Sequence, residues 1–133
     1  MGHRFNMNNL RTPLSKAKGL GSAKTGTDHF ILQGLLALAL IPLVIWLCLS
    51  LAFLPDASYS SIVSWLNSPF NAVLMIITLF SGFYHGALGL QTIIEDYVSN
   101  HNTRTFAIII IKLLMFFFAT LGIYSVLKVS ISG

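Results

Sequence analysis

From Phe30 to Leu54 the chain runs without one charged side chain, longer than the about 20 apolar residues that cross a bilayer core as a helix. Two more such runs follow, Pro69 to Ile94 with no formal charge and Thr105 to Leu127 with Lys112 alone. Inside hydrocarbon the backbone must satisfy its own hydrogen bonds, so runs of this length resolve into helices. The pattern therefore predicts an all-α integral membrane protein with three transmembrane helices at about 30–54, 69–94 and 105–127. Composition agrees: charged residues make up 9% of the 133 residues, against about 25% in ordinary soluble domains.

Residues 1–28 form a polar tail rich in Gly, Ser, Asn and Lys, without apolar periodicity, and are expected to be disordered or held by a partner. Residues 29–133 are the membrane domain. The tail lacks the Ser or Thr at position 6 that a myristoylation signal requires. The first apolar run is too long for a signal peptide, and no small-x-small cleavage site follows it. Arg4, Arg11, Lys16, Lys18 and Lys24 precede the first helix and Arg104 sits in the second connection, while the first connection has no Lys or Arg. The positive-inside rule then puts the N-terminus and the second connection in the cytoplasm and the C-terminus on the periplasmic side, against Lys128 alone. The net charge of +4 is thus a topology signal, and no nucleic-acid surface is expected.

Local signals place the ends. Asp28 is expected to cap the first helix, Pro42 to kink it and Pro55 to stop it. The stretch Ala57 to Leu66 reads as a short surface helix with Tyr59 and Trp65 at the interface. Ser68-Pro69 reads as a cap followed by proline in the first turn. Glu95 to Arg104 is expected to be a polar loop. Cys48, the single cysteine, is expected to be a small buried hydrophobe, Lys112 to snorkel to the headgroups, and Gln91 and Ser81 to bond between helices.

His85 stands out chemically. It lies more than a helical turn from any charge inside the second apolar run, and an ionisable group there marks a candidate functional site. From His85 to Asp96 is about three helical turns, so the two share a face with the acid roughly 16 Å along the axis. Tyr97 follows it at the membrane rim. A phenol beside a carboxylate there is suited to bonding a quinone carbonyl and relaying protons. Gly82, Gly86 and Gly89 surround His85; small residues at this spacing admit either a neighbouring helix or a flat porphyrin beside a ligating imidazole. His85 reads either as a polar side chain bonding a neighbouring helix or as a haem iron ligand, in which case it would supply half of a bis-histidine site. His3, His29 and His101 lie outside the apolar runs, so the second ligand belongs to another chain. The alternative for the same face is a cofactor-free helical packing protein. No hydrolytic triad, Cys/His cluster, phosphate loop or nucleotide motif is present, which argues against a freestanding enzyme.

The stretch HGALGLQTIIEDYV, His85 to Val98, resembles the H-x-x-x-G-x-x-x-[IVL]-x-x-D-Y-V segment of the small hydrophobic anchor subunits of succinate dehydrogenase, the D subunits of respiratory complex II. GLGSAKTGTDHF, Gly19 to Phe30, is similar to the segment before the first helix in alphaproteobacterial members. The resemblance implies an anchor in the bacterial inner membrane, with partners in the cytochrome b556 (C) subunit, the iron–sulfur subunit and the flavoprotein subunit. It implies that His85 is the axial ligand to haem b, shared with the C subunit, and that Tyr97 and Asp96 belong to the ubiquinone site. Electrons from succinate would pass through the iron–sulfur clusters to the quinone. One departure is visible: the arginine usual early in the family's first helix is replaced here by Phe30-Ile31-Leu32-Gln33-Gly34.

Overall fold

The computed structural model describes residues 12–132, with side chains from residue 26 onward except that of His29. Residues 1–11 of the proposed tail, and the side chains of Lys16, Lys18, Lys24 and His29, lie outside the described part, and with them His3, Arg4 and Arg11. Four helices follow in order: α1 Thr12–Ala52, α2 Tyr59–Asn67, α3 Pro69–Tyr97 and α4 His101–Ser132. Among the described residues three segments are long and apolar enough to cross a membrane: Gly26–Ala52, Pro69–Tyr97 and His101–Ser132. The three spans expected from the sequence are therefore present, each with shifted ends.

The chain divides into two units, residues 1–35 and 36–133. Within the first, the described part is helical from Thr12, where the sequence suggested a polar tail to residue 28, disordered or held by a partner. Asp28 consequently sits inside α1, exposed, and caps nothing. A cap bonds the free N–H groups of a helix start, and residues 12–27 supply helical carbonyls in its place.

In the second unit, α1 continues through Pro42 to Ala52. It closes with Phe53 N–H donating to Leu49 O at 3.0 Å and Leu54 N–H to Leu51 O at 3.3 Å. It ends two residues short of the expected Leu54, because a residue before proline is pushed out of helical geometry. Cys48 is exposed on α1 rather than buried, since this part of the helix has no Cα within 8 Å of α2, α3 or α4. The stacking of Trp46 on Trp65, centroids 5.5 Å apart, ties α1 to α2.

Serines build the start of α2. Ser58 is its N-cap and accepts from the Ser61 N–H, as the short polar side chain at such a position should. Asp56 gathers the same residues: its Oδ1 accepts from Ser58 N–H at 2.9 Å and Ser61 Oγ at 2.6 Å, and also from Ser58 Oγ. These donors favour the ionised carboxylate, and with the Ser58 hydroxyl as the largest cause they lower its pKa from 3.8 to about 2. Ser68 holds the cap position of α3 with Pro69 in the first turn, but its hydroxyl makes no capping bond. Asn71 Nδ2 instead donates to Trp65 O at 3.0 Å, pinning the α2–α3 corner.

The most extensive packing joins α3 and α4. Ile108, Ile111, Met115, Ala119, Gly122 and Val126 recur at three- and four-residue spacing and are the covered side of α4, the seam expected of antiparallel helices. Ala72 and Val126 form the core with Leu66 of α2, flanked by Met75, Ile76 and Leu79. Both helices are longer than expected, and only Val98 to Asn100 remain of the ten-residue polar loop. Asn100 explains the restart: its Oδ1 accepts from Asn102 N–H at 3.0 Å and Thr103 N–H at 3.4 Å, as an N-cap does. Most large apolar side chains point outward; Phe30, Phe53, Phe70, Phe106 and Phe116 are all more than 60% exposed. In a chain of this kind that surface meets lipid or other subunits rather than water.

Candidate functional site

The site is laid out along α3. Continuous helix from Pro69 to Tyr97 puts His85 and Asp96 within about 20° of one another around the axis, as their spacing predicts. Tyr97 belongs to the same helix, so it stands about 100° from Asp96 and off the His85 stripe. The acid and the phenol thus diverge at the helix end. Both are exposed, Tyr97 by 84%, and Val98 N–H closes the last turn on Ile94 O at 2.9 Å.

His85 is half-buried, and its Nδ1 is fully withdrawn with no hydrogen-bond partner. Buried polar atoms are almost always paired, so an orphan needs an explanation. Ser81, one turn earlier, is 0% exposed, and its Oγ is likewise unpartnered. Around them the glycine face is open. A Cβ built on Gly82, Gly86 or Gly89 would meet nothing within 4 Å among the described residues. Phe80 and Tyr84 stack nearby on α3, centroids 6.1 Å apart.

Gln91 does not bridge helices as expected. Its Nε2 donates to Glu95 Oε1 at 2.9 Å within α3, because residues four apart face each other on one helix. This bond holds one acid of the last turn, where no basic residue offsets the helix dipole. Lys112 is exposed on α4, as a snorkelling lysine requires. Among the described residues no three His, Cys, Asp or Glu side chains gather as a cation site. What remains is a single imidazole beside an open wall, which fits one axial position of a flat macrocycle. Ser81, expected to bond between helices, has no partner for its Oγ; only its burial, not its type, singles it out.

The family model for succinate dehydrogenase/fumarate reductase transmembrane subunits matches residues 8–121. The chain belongs to that family. Its members among the curated proteins include the succinate dehydrogenase hydrophobic membrane anchor subunit of Rickettsia conorii, 36% identical over 105 residues, covering 78% of this chain and 83% of that one. The corresponding subunit of Rickettsia bellii is 35% identical over 104 residues, with the same coverage. That of Paracoccus denitrificans is 32% identical over 98 residues, covering 74% of this chain and 75% of its own. No solved structure matches. Family membership and the three apolar helices together make this a multi-pass membrane anchor of succinate dehydrogenase, of the alphaproteobacterial type.

Proposed function

We propose that this anchor holds haem b through His85, jointly with a histidine of the cytochrome b556 (C) subunit, and lends Tyr97 and Asp96 to the ubiquinone-reduction site. The observation that carries the haem assignment is the His85 side chain: one ring nitrogen buried and orphaned, the wall beside it left open by Gly82, Gly86 and Gly89. A neutral imidazole can coordinate iron through one nitrogen while the other, protonated, fixes the ring. When bound, the haem supplies a one-electron redox centre whose potential the axial ligands tune.

The remaining chemistry belongs to the end of α3. On this reading the Tyr97 hydroxyl donates to a quinone carbonyl, and Asp96 exchanges protons with water at the rim. Their divergence around the axis means that the two cannot close a pocket alone, so side chains of another subunit complete it. With the cytoplasmic side assigned by the basic residues, the iron–sulfur and flavoprotein subunits dock at this end, in the bacterial inner membrane with the N-terminus cytoplasmic and the C-terminus periplasmic. The chain contributes positions rather than a complete catalytic centre.

The test is a reduced-minus-oxidised spectrum of the purified complex carrying His85→Ala. We expect loss of most of the haem b absorbance. An unchanged spectrum, with the other subunits present, would remove His85 as the ligand and favour the cofactor-free packing role for the glycine face.

A further inference from the structure

Several hydroxyls on the membrane helices share one kind of partner. Thr78 Oγ1 donates to Leu74 O at 2.7 Å, Thr92 Oγ1 to Leu88 O at 3.0 Å, Thr120 Oγ1 to Phe116 O at 2.8 Å and Ser125 Oγ to Leu121 O at 2.8 Å. Each bonds the carbonyl four residues back, the usual resort of a hydroxyl in a helix. Ser81 makes no such bond, although it is 0% exposed. An unpaired buried hydroxyl costs free energy, and a second orphan, His85 Nδ1, lies four residues on. Positions i and i+4 are neighbours on one helix face, with Cβ atoms about 5–6 Å apart. Two polar atoms on adjoining positions, each buried and each without a partner, are complementary: an imidazole N–H donates and a hydroxyl oxygen accepts.

From this juxtaposition we infer that Ser81 is a positioning residue for His85. Its Oγ accepts from the Nδ1–H of the ligating imidazole, directly or through one water. The inference rests on His85 being the haem ligand. A ligating histidine characteristically has its other ring nitrogen fixed in this way, which sets the tautomer and ring orientation and raises the ligand's basicity. The bond therefore favours the ferric state. Serine suits the position because it adds an acceptor without filling the space beside Gly82 and Gly86, where a Cβ meets nothing within 4 Å.

The test compares Ser81→Ala, Ser81→Cys and Ser81→Thr in the assembled complex, by redox titration of the haem and by the low-spin ferric resonance. With the hydroxyl removed or replaced by a weakly accepting thiol, the midpoint potential should rise. We expect a change of about tenfold in the reduced-to-oxidised ratio, or 59 mV for one electron, and a shifted resonance. Ser81→Thr, which keeps the hydroxyl, should stay near the parent. Parent-like values for Ser81→Ala and Ser81→Cys would overturn the assignment, as would an equal shift in Ser81→Thr, which would mark packing as the cause. If the Ala variant does not assemble, the Cys and Thr pair decides alone. His85→Ala is run beside them: retention of the parent spectrum there overturns the ligand assignment itself, a failure distinct from that of Ser81.

Discussion

Leu79 of α3 lies against Gly122 of α4 so closely that a Cβ on the glycine would stand 3.2 Å from the leucine Cδ1. Of the six described glycines whose surroundings are known, Gly122 alone has a neighbour within 4 Å, so it marks where α3 and α4 approach. The contact that would be met is the far end of a flexible side chain, and this sets the graded response. Gly122→Ala should be tolerated with a small turn of Leu79. Gly122→Leu overfills the seam and should cost about 1–3 kcal/mol, read as a lower midpoint in thermal unfolding of the detergent-solubilised complex.

The opposite prediction holds for Gly86. Its missing side chain is not used by this chain, because a Cβ there meets nothing within 4 Å. Gly86→Leu should leave the α3–α4 seam intact yet fill the space beside His85. The expected result is a complex that assembles with near-normal flavin content and has lost most of its haem absorbance. Full haem with Gly86→Leu would show that the open wall is not where the cofactor lies.

These two glycines also show what the residues alone could reveal. The three spans, His85 in the middle of the second and the spacing to Asp96 were legible because an uncharged run of this length has few other fates in a bilayer. Helix ends were less so. Asp28 looked like a cap only because the polar residues before it carry no apolar period, although Thr12 onward is helical. The polar run Glu95 to Arg104 looked like a loop, although Asn100 restarts a helix within it. Nothing in the letters distinguishes Gly82, Gly86 and Gly89, open to a visitor, from Gly122, packed by its own chain. Nor could the divergence of Asp96 and Tyr97 be seen until the helix was known to run through both.

Asp56 gives a pH prediction. Its folded pKa, about 2, lies below its ordinary 3.8 because Ser58 and Ser61 donate to the carboxylate. A depressed carboxylate contributes stability that is fully present above its unfolded pKa and is lost as pH falls through the folded one. The α1–α2 connection should therefore hold at neutral pH and loosen between about pH 4 and pH 2. Hydrogen exchange of the Ser58 and Ser61 amides should accelerate across that window relative to the base-line chemical rate. Asp56→Asn should raise exchange at these amides at pH 5 and flatten the acid dependence.

Tyr97 provides the sharpest functional separation. It sits at the end of α3, 84% exposed, where its ring supports nothing in this chain, so Tyr97→Phe removes a hydroxyl without removing packing. One hydrogen bond of about 1.5 kcal/mol corresponds to about tenfold in rate. We expect succinate-dependent ubiquinone reduction to fall about tenfold or more. Succinate oxidation by an artificial dye, which takes electrons before the quinone, should stay near the parent value, as should haem content. Equal loss of both activities would place the damage in docking of the soluble subunits and strip Tyr97 of its role toward the quinone. Unchanged quinone reduction would strip Tyr97 of that role and leave Asp96, on the His85 side of the helix, as the remaining candidate.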